Sequence, residues 1–393
     1  MGIQLLKSPF TNDNNEDLLS IPQLETVKNF YLSTPFYAPT RLVSLDAYSK
    51  QVGIAKMLVK DESTRFSEKL KSFKATGGMF AMARVIAKHA GLDIDHLTYD
   101  QLQTPAARKV AQELTFYTAT DGNHGRGVAW AAQQLGTHAV VKMPAGSSQT
   151  RADHIQQFGA DVEITDKNYD QTVQLTKELA DQDSNGVLIQ DYAWGDYITI
   201  PKDISLGYSI IASELLNSFD QDVEPTHLFL QAGVGQFAAG MIQAVRRKLR
   251  ETKIIIVEPA TVDCYFESIK QGDGQLHTIP GSPQTIMAGL NCQTPSASAW
   301  PIIKDNAAYY GTLTDDVAEE GMRRLANPFG HDSKIVAGES GVAGFAYVNA
   351  LLTDPQYQEQ RAELGLDENA RVMAINTEGD TDEESYQQIV TGK

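Results

Sequence analysis

A lysine set between an aromatic residue and a run of small ones, as Lys74 is in "SFKATGG" (72–78), has the surroundings of a reactive amine. Packed against Phe73 the amine would lose its water, and desolvation is expected to lower its pKa toward the neutral form that condenses with carbonyls. Taken alone, the same residue reads better as a surface lysine with its stem laid over apolar neighbours. In "DGNHG" (121–125) the carboxylate of Asp121 and the amide of Asn123 share a tight loop whose glycines allow a flat ligand to come close. Asp and Asn are also ordinary helix caps, and His124 by itself is expected to be a buried structural ring.

A third stretch, "LQAGVGQFAAG", passes from a strand through Gly233, Val234, Gly235 and Gln236 into a helix. Unpaired backbone N–H groups in such a turn form an anion cradle, suited to a phosphate. Two other readings stand beside it. One is close packing; the other is a dinucleotide fingerprint, with Gly233, Gly235 and Ala238 correctly spaced and the acidic Glu258 ending the next strand. That fingerprint normally opens a chain's first βαβ unit, whereas here it lies past the midpoint. Asp191, in "QDYAWGDY", supplies a second carboxylate. If the sheet brings it beside Asp121, each is expected to raise the other's pKa, and the two could bind an ammonium group or exchange a proton. The alternative is a solvated loop carboxylate next to a core Tyr192 and Trp194. Pyridoxal 5'-phosphate (PLP) is the cofactor whose chemistry unites a reactive lysine, a phosphate cradle and a tight polar loop.

From residue 114 onward, short β-branched or aromatic runs alternate with amphipathic stretches, the pattern of parallel sheets covered by helices. The expected fold is α/β with two domains, each a mostly parallel twisted sheet flanked by helices. Residues 1–80 with 210–393 are expected to form the larger domain and 81–209 the smaller, with the polar segment 88–112 as an elaboration between them. In open sheets of this kind ligands sit beyond the carboxyl ends of the strands. The loops after Thr120, Gln190, Gly233 and Asn376 are therefore the ones to carry a site.

Composition narrows the partners. Fifty acidic against 33 basic residues give a formal charge of −17 over 393 residues, which disfavours nucleic acid and anionic membrane surfaces. No apolar run is long enough to span a bilayer, and "MGIQLLKSPF" lacks the features of a signal peptide, so cytoplasmic residence is expected. Cys264 and Cys292 have no metal-ligand spacing. Free thiols are expected, with a bridge between them left open, and no metal site is expected.

Taken together, "SFKATGG", "DGNHGRG", "QDYAWGDY", "AGVGQ" and "NTEGDTD" (376–382) resemble the fold type II PLP enzymes, the tryptophan synthase β-like group. That group includes the serine and threonine dehydratases, and the nearest resemblance within it is to the diaminopropionate ammonia-lyases. The resemblance implies that Lys74 holds PLP as a Schiff base and that Asn123 contacts the pyridine 3-oxygen. It places the backbone of Gly233, Val234, Gly235 and Gln236 on the phosphate and the Thr377 hydroxyl opposite the pyridine nitrogen. Gln236 departs from the glycine tetrad of the dehydratases. Asp121 stands where the dehydratases carry serine, and a carboxylate suits a substrate with a second ammonium on Cβ. The implied activity is that of a carbon–nitrogen lyase in amino acid catabolism. It eliminates across Cα and Cβ of D- and L-2,3-diaminopropionate, giving pyruvate and two ammonia, with Lys74, Asp121 and Asp191 as the catalytic residues. A PLP-dependent serine or threonine dehydratase is the alternative, an NAD-dependent oxidoreductase and a non-catalytic sensor are more distant rivals, and a homodimer is the family's usual state.

Overall fold

Alternating apolar runs become strands here because side chains on both faces of a parallel sheet must be buried. The computed structural model describes residues 2–10, 18–219, 224–281 and 283–392. Among them the strands are β1 (Ile3–Lys7), β2 (Arg41–Ser44), β3 (Lys56–Asp61), β4 (Thr115–Ala119), β5 (His138–Met143), β6 (Asp161–Ile164), β7 (Gly186–Leu188), β8 (His227–Gln231), β9 (Lys253–Pro259), β10 (Tyr309–Leu313) and β11 (Arg371–Asn376).

The chain divides into two compact units. One comprises residues 1–18, 39–64 and 214–393, the other 19–38 and 65–213. The first holds a seven-stranded sheet in the order β1-β10-β9-β8-β11-β3-β2. Its five central strands are parallel, and β1 and β2 pair antiparallel at the edges. The second holds a four-stranded parallel sheet, β6-β5-β4-β7. Compared with the expected division, residues 19–38 and 65–80, with Lys74 among them, go with the smaller sheet. The reason lies in helix packing: the helix Lys74–His89 is buried along most of its length, and Gly207 of the helix Thr199–Ser218 lies against it. A Cβ on Gly207 would stand 2.6 Å from the Thr76 carbonyl oxygen.

One feature departs from the sequence reading. The segment 88–112 is no elaboration between domains; it belongs to the second unit and contains the helices Tyr99–Leu102 and Pro105–Glu113. Strand β3 carries Lys60 and Asp61, charges that disguise a central strand; both are buried, with Lys60 Nζ 2.5 Å from Glu214 Oε2 and Asp61 paired to Arg41. Strand β10 is buried throughout.

Both sheets reverse direction at the same kind of place. In the smaller, β5 and β6 build out on one side of β4 while β7 pairs on the other. In the larger, β9 and β10 build out on one side of β8 and β11 pairs on the other. Crevices at the carboxyl ends of β4/β7 and β8/β11 are thus topological switch points, where open α/β sheets bind ligands.

Candidate active site

Pairing of β4 with β7 brings the loop after Ala119 beside the loop after Leu188. Asp191 lies three residues past the end of its strand, yet the ladder continues through a side chain. The Gln190 amide donates to Ala119 O (3.0 Å) and accepts from Ala119 N (3.1 Å), as a paired strand would. Tyr197 Oη accepts from Gln190 N at 2.8 Å and donates to Leu188 O at 3.0 Å, closing the turn behind it. This holds Asp191 in a buried position. Tyr192 and Trp194 are half-buried and join Tyr197 in an aromatic cluster, with centroids 4.8 and 4.5 Å apart in succession.

Lys74 is the first residue of its helix, and its Nζ lies 2.6 Å from Asp191 Oδ2 and 5.7 Å from the Phe73 ring centroid. The two side chains are 16% and 8% exposed, so the ion pair is largely withdrawn from water. Burial alone pulls the amine's pKa down, as expected from the sequence. The Asp191 carboxylate, supported by Tyr208 and Asp121, outweighs burial and holds the amine above the ordinary lysine range. That corrects the expectation of a depressed lysine. Asp191 corrects another: burial would raise it, but Lys74 and then His124 bring it down to about 2, so it does not share a raised pKa with Asp121. Only Asp121 is raised, by burial first, against the pull of Arg151 and Lys74 and with a push from Asp191. The two carboxylates on one sheet edge thus shift in opposite directions, because only Asp191 touches the ammonium.

His124 is buried, as expected, with Nε2 2.8 Å from the Ile189 carbonyl. A carbonyl only accepts, so Nε2 carries the hydrogen. Nδ1 lies 3.7 Å from Asp191 Oδ2 and makes no hydrogen bond among the described residues. Burial lowers the ring's pKa, so it is neutral near pH 7. Asn123 opens the helix Asn123–Leu135. Further along that helix, a Cβ on Gly127 would stand 2.9 Å from Ala75 N and 3.1 Å from Lys74 C. The last glycine of "GNHGRG" therefore lets this helix touch the backbone that carries the lysine. Gly127→Ala is expected to cost about 1–3 kcal/mol in urea unfolding and to lower kcat disproportionately, because it displaces Lys74; a variant with unchanged kcat would show that the contact positions nothing.

In the larger sheet, β8 ends at Gln231 and the chain turns through Gly233 and Gly235 into the helix Gln236–Val245. Gly235 has φ +91°, and a Cβ there would overlap Tyr265 Oη at 2.0 Å; one on Gly233 would come within 3.0 Å of Leu290 Cα. The N-cap of this helix, Gly235, has no side chain to cap it, and a helix N-terminus of this kind suits an anion. The Gln236 amide turns aside and donates to Ser296 Oγ (2.9 Å) and Ser298 Oγ (2.7 Å), while Val234 O accepts from Ser296 N and Tyr265 Oη, each at 2.9 Å. Thr377 follows β11, is buried, and accepts a hydrogen bond from Gln231 Nε2 at 3.0 Å. Taken separately and by their chemistry, a backbone anion cradle suits a phosphate, a primary amine an aldehyde and a neutral hydroxyl a ring nitrogen, the groups that PLP carries. The dinucleotide reading loses its acidic partner. Glu258 is fully buried, and its two oxygens accept from Tyr265 N (2.9 Å) and Phe266 N (2.8 Å), capping the helix Cys264–Gln271. Burial pushes its pKa up to about 8, against the pull of those same N–H groups.

Cys264 and Cys292 are free thiols. No group of side chains among the described residues could hold a metal ion, and no helix among them is long and apolar enough to cross a membrane. Tyr208, Arg151, Ser296 and Ser298 escaped the sequence reading because each sits outside the glycine-rich stretches that drew attention, and Gln231 escaped it because it reads there only as the end of the strand.

The family model for pyridoxal-phosphate-dependent enzymes matches residues 33–377. The chain is 41% identical over 393 residues to the diaminopropionate ammonia-lyase of Escherichia coli (strain K12), covering 99% of this chain and 96% of that protein. It is 42% identical over 369 residues to the enzyme of the same name from Salmonella typhimurium (strain LT2), covering 92% and 90%. The crystal structure of the holo E. coli enzyme superposes with a TM-score of 0.92 at 40% identity, covering 100% of this chain and 97% of that one.

Proposed function

Because this chain belongs to the family of pyridoxal-phosphate-dependent enzymes, we propose that it is a diaminopropionate ammonia-lyase, converting D- and L-2,3-diaminopropionate to pyruvate and two ammonia. The observation that carries this reading is Asp121, a carboxyl with a raised pKa in the loop where a dehydratase would carry a hydroxyl. The near full-length similarity to enzymes of that name supports it over the serine or threonine dehydratase.

PLP supplies electron withdrawal from the α-carbon of a bound amino acid, which makes loss of the α-proton and of a β-substituent accessible. The protein's part is to bind, orient and move protons. Backbone N–H groups from Gly233 to Gln236 would hold the phosphate, and Asn123 would orient the ring through its 3-oxygen. Lys74 would anchor the aldehyde carbon, and Asp191 Oδ2, in hydrogen-bond contact with its Nζ, orients the amine. Asp191 in its ionised state, together with Asp121, attracts the substrate's β-ammonium by a charge-assisted contact. The two enantiomers present their α-hydrogens to opposite faces, so Lys74 Nζ takes one and Asp121 the other. Asp121 is suited to this because its raised pKa brings it toward the working pH. The neutral Thr377 hydroxyl would face the ring nitrogen and leave it unprotonated, which would temper the electron withdrawal and favour elimination over transamination. The homodimeric state and cytoplasmic residence usual for the family are part of the same proposal, and sedimentation tests the first.

Counting products tests the reaction. With diaminopropionate as substrate, two ammonia are expected for each pyruvate; a ratio of one, or turnover confined to serine and threonine, would remove the assignment.

A further inference from the structure

The Gln231 side chain, buried at the end of β8, has its amide nitrogen within reach of four acceptors: Ile375 O (2.9 Å), Gly341 O (3.0 Å), Thr377 Oγ1 (3.0 Å) and Ser340 O (3.4 Å). Three of the four are backbone carbonyls, which have no hydrogen to give, so the amide cannot be turned over without setting its oxygen against them. The nitrogen end is thereby fixed toward Thr377. An amide nitrogen is no acceptor, so the Thr377 hydroxyl receives this bond and its own hydrogen stays free to be donated. Among the described residues that hydrogen has no acceptor, because Gln231 is the hydroxyl's sole hydrogen-bond partner. The adjacent carboxylate, Glu378, is turned toward Ser340 N, which donates to its Oε1 at 3.0 Å.

We propose that Gln231 is a positioning residue that fixes the Thr377 hydroxyl as a hydrogen-bond donor toward the PLP ring nitrogen and so keeps that nitrogen unprotonated. This rests on the placement of Thr377 opposite the ring nitrogen proposed above. The polarity is set from behind, by three carbonyls competing for one amide. Without the amide, no donor behind the hydroxyl holds that polarity. The hydroxyl then turns around and offers the ring nitrogen a lone pair, which only a protonated ring can meet. The side chain matters to the reaction through the orientation of a hydrogen it does not own.

The experiment is 15N NMR of holoenzyme loaded with PLP labelled at the ring nitrogen, applied to the natural protein, Gln231→Met, the near-isosteric Gln231→Glu, Thr377→Val, and the double variant Gln231→Met/Thr377→Val. The natural protein is expected to show the signal of an unprotonated, hydrogen-bonded nitrogen; a protonated signal there overturns the proposal without any variant. Gln231→Met and Gln231→Glu are expected to move the signal toward the protonated position. Both should raise the frequency of transamination per turnover about tenfold, the effect of reversing one hydrogen bond. Gln231→Met is expected to add nothing to the effect of Thr377→Val, since it acts through that hydroxyl. If Thr377→Val moves the signal and neither Gln231 variant does, Gln231 has no such role and the placement of Thr377 survives. If Thr377→Val leaves the signal unmoved, the placement itself is wrong.

Discussion

Asp121→Asn removes turnover of D-2,3-diaminopropionate by about 10²–10⁴-fold, the usual contribution of a positioned general base, and lowers turnover of the L-enantiomer by less than about tenfold. Asparagine keeps the shape of the loop but cannot take a proton. The helix that follows is not capped by the Asp121 side chain, since its N-cap is Gly122 and no side-chain cap bond is made, so the fold has little stake in the charge. The carboxyl's raised pKa also fixes the sign of a pH effect. Activity on the D-enantiomer should climb with pH as Asp121 ionises, through a midpoint above the ordinary aspartate range, and this limb should vanish in the variant. Steady-state kinetics on the two enantiomers reads both effects. Equal losses on D and L would end the two-base mechanism, leaving Asp121 as a binding group only.

Lys74→Ala is expected to abolish the visible absorbance of the cofactor-loaded protein and to cut turnover of both enantiomers by at least about 10⁴-fold, the upper range for one proton-transferring group. It also has a consequence for stability that follows from the ion pair alone. Removing the ammonium strands the buried Asp191 carboxylate, and breaking one side of a buried pair costs about 3–5 kcal/mol. The double variant Lys74→Ala/Asp191→Asn should recover most of this while remaining inactive. The pH dependence carries the same signature. Asp191's pKa in the folded protein is depressed to about 2, so its contribution is fully present above the ordinary aspartate pKa and is lost as pH falls from there toward 2. Chemical unfolding of cofactor-free protein at several pH values measures it. If Lys74→Ala were as stable as the natural protein at neutral pH, the 2.6 Å contact would not hold in solution.

The sequence by itself determined which residue types were available and where the backbone could turn. Lysine after Phe73, the glycines at 122, 125, 127, 233 and 235, and the alternation of apolar runs from residue 114 onward are local features, set by side-chain volume, φ preference and hydrophobic period. They sufficed for the α/β fold and the cofactor. The protonation states were decided only by tertiary structure. Desolvation of Lys74 was legible from its neighbours, but the carboxylate that reverses its effect lies 117 residues away and arrives through β4–β7 pairing and the Gln190 side chain that extends it. Charge hid β3, because Lys60 looks like surface until Glu214, 154 residues on, is placed against it. The direction of the Thr377 hydroxyl likewise depends on Gln231, 146 residues distant and one strand over. In each case a pKa or a hydrogen-bond polarity is set by the sum of nearby charges and dipoles. Strand order chooses those neighbours, and spacing along the chain does not record it.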